Sequence, residues 1–258
     1  MMPKILLLLL ILFFGSARAQ EQLLQLPIEE RLTDSAPVLQ YIASSDAVNL
    51  ILIPGGNAGT GEVKSGVPSS LNFLVRSRSG FQSAGFNTFI LFRAKSVNPN
   101  AMSTTYRADK AHLKEIESLV NYVSSKTSGP IWIVGTSMGT ISATSAALNI
   151  QNSKLKGLVL TASVTRHAPG NLGSINLKEI KIPVLMVHHA DDQCFACVPN
   201  EAKDLFGKLS GSAKKEFQMV SGGGPAMGDP CQNQHWHGFL GIEEKVVDQI
   251  SQWIKTAN

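Results

Sequence analysis

From residue 48 onward the chain alternates short apolar runs with segments of helical spacing, and this alternation narrows the fold more than any other feature. Residues 48–54 (VNLILIP), 86–92 (FNTFILF) and 131–134 (IWIV) are predominantly apolar at successive positions, not at every second one. Such runs fit strands covered on both faces, as in parallel sheets. Further strands are expected at 156–161, 182–188 and 217–220. Between them, residues 107–126 place Leu113, Ile116, Leu119, Val120 and Val123 at helical intervals, and Gly129-Pro130 ends that helix. Helices are also expected at 71–83, 138–152 and 242–254, whereas 57–70, rich in Gly and Ser, reads as a loop. This order predicts an α/β protein with a mainly parallel central sheet and helices on both faces. The segment before residue 48 is expected to be an exposed antiparallel pair. No internal repeat or low-complexity linker divides the chain, so residues 20–258 are expected to form a single domain.

The N-terminus carries an address. Lys4 precedes an unbroken apolar run at 5–14 (ILLLLLILFF), and Ala17-Arg18-Ala19 fits the small-x-small cleavage rule, which puts the cut before Gln20. The run is too short to span a bilayer, which takes about 20 apolar residues. Residues 1–19 are therefore expected to be a signal peptide. The mature protein is expected to be exported, periplasmic or secreted, with no stable membrane insertion. Removing Lys4 and Arg18 takes the formal charge from +4 to about +2. Basic residues occur singly or in pairs without interleaved aromatics, which argues against a nucleic-acid partner.

The chemistry begins at Gly135-Thr136-Ser137-Met138-Gly139, which follows the strand IWIV and opens a helix. A serine on a tight strand-to-helix turn has its Oγ exposed in a strained backbone conformation, and the two glycines leave room that bulkier neighbours would fill. The helix N-terminus behind it favours the negative charge that develops during attack. A serine nucleophile needs a base, and the base needs a group to orient it.

Four stretches carry a family resemblance: NFLVRSR (72–78), GTSMGTIS (135–142), HHADDQC (188–194) and GDPCQNQHWHGFLGIE (228–243). With them the chain resembles the α/β-hydrolase superfamily, and within it a group of small exported bacterial serine hydrolases. The resemblance implies the α/β-hydrolase fold. The segment between the strands at 156–161 and 182–188 is too short for a cap domain, so an open site is expected. The fold's chain order of serine, acid, histidine makes Ser137 the nucleophile. The acid then falls at Asp192, by alignment of His189 with a strand-Gly-x-x-Asp pattern, with Asp191 as the alternative. The base falls at His237, directly before Gly-Phe and the closing helix, with His235 as the alternative. The oxyanion hole would use the amides of Met138 and Gly56, with Asn57 as second choice for the latter. Met138 stands where the group often has Arg, so a polar contact near the nucleophile is expected to be missing.

This reading implies hydrolysis of an ester-containing substrate through an acyl-serine intermediate, with no cofactor and no metal. An amidase or peptidase would use the same residues, and a catalytically silent binding protein would keep the same fold. No HExxH or paired CxxC spacing organises His188, His189 and the other His, Asp and Cys residues into a metal site. Cys194-Phe195-Ala196-Cys197 is a lone CxxC with no helix signal directly behind it, unlike a thioredoxin-type redox motif. If Asp192 reaches His237, the loops carrying Cys194 and Cys231 converge, and in an oxidising compartment those cysteines should bond. The resemblance favours the same pair, Cys194–Cys231, because its two cysteines fall in the DDxC and DPC stretches. Cys197–Cys231 is the rival pairing. Cys197 would otherwise be a free thiol packed as a small apolar residue.

Overall fold

The computed structural model describes residues 20–258 except 29–30, 60–62, 65–66, 69 and 167–169. The expected signal peptide lies outside the described residues. The chain opens with an antiparallel pair, β1 (Gln22–Ile28) and β2 (Arg31–Tyr41), followed by β3 (Asn49–Ile53). Two-residue strands, β4 (Val63–Lys64) and β5 (Val67–Pro68), form a small separate hairpin within the loop after β3. Helices α1 (Phe73–Arg76) and α2 (Arg78–Ser83) lead to β6 (Asn87–Leu91). Then come α3 (Thr104–Ala108), α4 (Lys110–Lys126), β7 (Ile131–Thr136), α5 (Gly139–Asn149) and β8 (Leu155–Thr161). The chain closes with β9 (Val184–His189), α6 (Pro199–Gly207), β10 (Lys215–Val220) and α7 (Glu243–Ala257).

Eight strands make one sheet in the order β1-β2-β6-β3-β7-β8-β9-β10. From β6 to β10 every pairing is parallel; β1–β2 and β2–β6 are antiparallel. Successive side chains of a strand face opposite sides, and the core divides accordingly. Ile51, Phe89, Ile133, Leu158 and Met186 pack on one face, beneath Ile116, Leu119, Val120 and Val123 of α4 and Ala143 of α5. Leu50, Leu52, Trp132, Val134 and Val187 pack on the other, against Phe73–Val75 of α1 and Val246, Ile250 and Trp253 of α7. Burial on both faces is why these strands read as continuous apolar runs. The antiparallel pair is less exposed than its sequence promised: Leu26, Ile28, Ala36 and Val38 are buried in the first of these clusters.

Two expected helices are divided. The 71–83 segment breaks at Ser77, which ends α1 and starts α2. The 107–126 segment breaks at Asp109, whose side chain accepts from the Ala111 N–H at 2.8 Å and so starts α4 afresh. Helix α6 escaped the sequence reading; Pro199 at its first turn is its clearest start signal. The linking segment 162–183 holds two single 3₁₀ turns and no cap domain among its described residues.

Trp132 of β7 lies across the strand from Gly157 of β8 and meets Trp253 of α7 edge-on at 5.5 Å. A Cβ on Gly157 would sit 2.1 Å from the Trp132 ring. Gly157→Ala should therefore lower unfolding stability by about 1–3 kcal/mol through overpacking, measurable by urea denaturation.

Candidate active site

The turn between β7 and α5 sets the first residue. Ser137 has φ +52°, the left-handed region that costs a non-glycine residue energy. Neighbouring backbone holds it there: its N–H donates to Thr161 O at 3.0 Å, and its carbonyl accepts from Thr140 Oγ1 at 2.6 Å. Close packing explains the flanking glycines. A Cβ on Gly139 would lie 2.1 Å from Ile53 O, and one on Gly135 would lie 2.5 Å from Gly139 O. The result is a serine raised above the end of the central strand, at the base of an open cavity of about 640 Å³.

Ser137 Oγ lies 3.0 Å from His237 Nε2, and His237 Nδ1 lies 2.9 Å from Asp192 Oδ2. With the Nδ1 proton donated to the carboxylate, Nε2 faces the serine as an acceptor; this tautomer follows from the hydrogen-bond partners. Asp192 Oδ1 accepts from the Cys194 N–H at 2.9 Å, so both carboxylate oxygens are engaged. Asp192 and His237 are buried. Their neighbours are placed elsewhere. Asp191 is exposed, 3.8 Å from His189 Nδ1, and its own N–H donates to that nitrogen at 3.0 Å. His235 is buried edge-on against Trp236, with ring centroids 5.1 Å apart.

Gly56 and Met138 both line the cavity beside Ser137, as does Asn57. Gly55 packs directly on the serine: a Cβ there would lie 2.7 Å from Ser137 Cβ. The amides of Gly56 and Met138 have no acceptor among the described residues. The side chain of Asn57 accepts from the Gly59 N–H at 3.0 Å and so folds the loop back on itself.

The loop bearing His237 is held from two directions. Cys194 and Cys231 form a disulfide, leaving Cys197 as the buried free thiol. Cys197 packs with Ile141 and Val164, and burial raises its thiol well above the ordinary range. On the other side Arg76 donates to Gly238 O, to Leu71 O at 2.7 Å and to Glu243 Oε1 at 2.8 Å. The stretches 72–78 and 228–243 thus meet, although sequence reasoning gave Arg76 itself no role; its place in a stretch that carries the family resemblance was the available signal. Ligand atoms of Cys194, Cys197 and His237 lie within 4.8 Å of one another. Cys194 is spent in the disulfide and His237 faces Ser137 and Asp192, so in this state the three do not form a ligand set.

No protein-family model and no curated protein sequence matches the chain. Solved structures do. A dienelactone hydrolase from Anabaena variabilis is 13% identical with a TM-score of 0.66, over 93% of this chain and 99% of that one. An esterase of Pyrococcus furiosus is 10% identical with a TM-score of 0.67, over 93% and 91%. An α/β serine hydrolase homologue from Coxiella burnetii is 17% identical with a TM-score of 0.59, over 90% and 96%. The chain has the α/β-hydrolase fold. At these identities the likeness speaks for the fold alone.

His188, at the end of β9, lies beneath the site. Its Nε2 accepts from the Ser163 N–H at 2.8 Å, and its ring stacks on Phe217. Complete burial pushes its pKa down to about 4, against a rise caused by Asp192; His237 lowers it further. The ring therefore stays neutral in the fold at pH values where the unfolded chain takes up a proton. The stability this contributes is complete above the unfolded value near 6.5 and is lost as pH falls toward 4, on the order of 3 kcal/mol. Buried His112 is also lowered, chiefly by desolvation, and acts in the same direction. Urea midpoints measured from pH 7 to 4 should fall steeply for the wild type and less steeply for His188→Gln.

Proposed function

We propose that the protein is an exported serine hydrolase that cleaves a neutral carboxylic ester through an acyl-serine intermediate. The observation that carries this reading is the continuous chain from Ser137 Oγ through His237 to Asp192, opening onto a cavity beside two unengaged amides. In the proposed mechanism Ser137 Oγ attacks the ester carbonyl while His237 Nε2 takes its proton. Asp192 holds the imidazole in the required tautomer and stabilises the imidazolium. The negative charge on the former carbonyl oxygen is met by the amides of Met138 and Gly56 and by the N-terminal end of α5. His237 returns the proton to the departing alcohol, and a water activated by the same imidazole then releases the acid.

Substrate charge follows from the walls. The described cavity lining comprises amide, hydroxyl and apolar side chains such as Asn72, Thr104, Val164 and Phe195, and among the described lining residues there is no Asp, Glu, Lys or Arg. A charged ester would lose hydration there without gaining a counter-charge. Export accords with the disulfide, since such bonds persist in oxidising compartments. No described helix is long and apolar enough to cross a membrane.

A fluorophosphonate probe should label the wild type at Ser137. Ser137→Ala should remain folded and lose both labelling and turnover, the latter on the order of 10⁶-fold. Absence of labelling in the folded wild type would defeat the mechanism. A panel of neutral and charged esters, with matched amides, should show preference for the neutral esters. Within it Asp192→Asn and His237→Ala should each lose far more activity than Asp191→Asn and His235→Ala. A reversed ranking in either pair would reassign that role.

A further inference from the structure

Beneath the loop that follows β3 lies a second array of serine, histidine and carboxylate. Ser142 Oγ is 2.9 Å from His112 Nε2, and His112 Nδ1 is 2.8 Å from Glu115 Oε2. All three residues are buried, Ser142 completely. This serine meets Arg107 of α3, whose Nη1 donates to Ser142 Oγ at 3.0 Å.

The remaining contacts of Arg107 give the array its purpose. Nη2 donates to Pro54 O at 3.0 Å and to Gly56 O at 2.9 Å. These carbonyls lie on either side of the Gly56 N–H along the chain. We propose that Arg107 is a positioning residue of the oxyanion hole, a buried guanidinium that fixes the Gly56 amide by gripping the carbonyls of residues 54 and 56. The inference rests on the serine-hydrolase reading above.

The hydrogen bonds run in one direction from this cation. Arg107 donates to Ser142, the Ser142 hydroxyl donates to His112 Nε2, and His112 Nδ1–H donates to Glu115. Each acceptor is filled and His112 is neutral, in keeping with the downward pull of its burial. Glu115 holds the balancing negative charge and also accepts from Tyr106 and Arg31. Burial lowers Arg107 to about 10, so it remains a cation at neutral pH. A full charge out of water is costly unless it is paired and hydrogen-bonded. Here that cost is set against an ordered loop: Ser142 belongs to α5, the helix that follows the nucleophile, so the same guanidinium ties the Gly56 loop to the Ser137 turn. Two backbone amides from separate elements are thereby held in register, the condition under which a preorganised hole acts on a transition state.

The test compares Arg107→Met, Arg107→Lys and Tyr106→Phe with the wild type, using the second-order rate of fluorophosphonate labelling, which needs no knowledge of the substrate. Loss of one oxyanion donor costs about 10²–10³-fold in other hydrolases. A displaced donor should cost less, so Arg107→Met should label about 10–100-fold more slowly. On any neutral ester the wild type cleaves, this variant's kcat per labelled site should fall similarly while KM stays within about twofold. Arg107→Lys, which keeps the charge but not the two-carbonyl grip, should fall between the two. Tyr106→Phe removes one bond to Glu115 and leaves the three contacts of Arg107 intact; it should lower the Tm without slowing labelling. If Arg107→Met does not fold, Arg107→Lys decides on the same measure. Labelling of the folded Arg107 variant at the wild-type rate would overturn the inference alone, and so would equal slowing in Tyr106→Phe. Failure of the wild type to label would remove the serine mechanism and this inference with it.

Discussion

The first turn of α5 lies against the end of β3 with no space for a side chain between them, and much of the site follows from that contact. Because Gly139 meets the Ile53 carbonyl, the chain leaving β7 must turn sharply, and Ser137 takes the left-handed backbone that the turn requires. The same approach brings the loop after β3 beside the serine, with Gly55 against its Cβ and Gly56 and Met138 facing one cavity. A wider turn would relax the serine and separate the two amides together. Ser137 and the two cavity-facing amides are thus aspects of one packing arrangement, and Arg107 joins its two parts from below.

Asp192 and His237 face a different difficulty, since each sits on a loop with little regular structure. Parallel strands deliver such loops to the same edge of the sheet, where sites in this architecture gather. Delivery alone does not fix a hydrogen-bond length. Here the loop after β9 is folded back by Asp192 itself, which accepts from Cys194 two residues on, and Cys194 is bonded to the loop that carries His237. Arg76 then secures the carbonyl next to His237 from the opposite helix. The imidazole is held from both ends of its loop, one covalent and one electrostatic.

Much of this was legible in the sequence because it is written in local chemistry. Fully buried parallel strands give continuous apolar runs, and a strand-to-helix serine turn demands small neighbours at 135 and 139. Asp192 and His237 were placed by chain order, and their close neighbours Asp191 and His235 differ only in direction, which no spacing encodes. The breaks at Ser77 and Asp109 were hidden because the apolar periodicity carries past them. The buried array was hidden for another reason. His112 and Glu115 stand three apart on what reads as a charged helix face, and Arg107 reads as one more surface cation. Only tertiary packing turns α3 and α4 so that these groups lie beneath the loop after β3, where Arg107 grips two loop carbonyls and His112 meets Glu115.

The lack of charged side chains among the described lining residues has a consequence for traffic through the site in the proposed reaction. In the proposed reaction an ester would arrive without charge and its acid would leave ionised, so the two halves of a turnover would meet the same walls in different electrical states. A wall with no lysine or arginine among its described residues offers the outgoing carboxylate no fixed counter-ion, and water competes for it well. Departure would therefore be favoured by the change that the proposed chemistry makes. Among the described residues the segment between β8 and β9 holds two 3₁₀ turns, and in the proposed reaction solvation of the product would set the direction of flow.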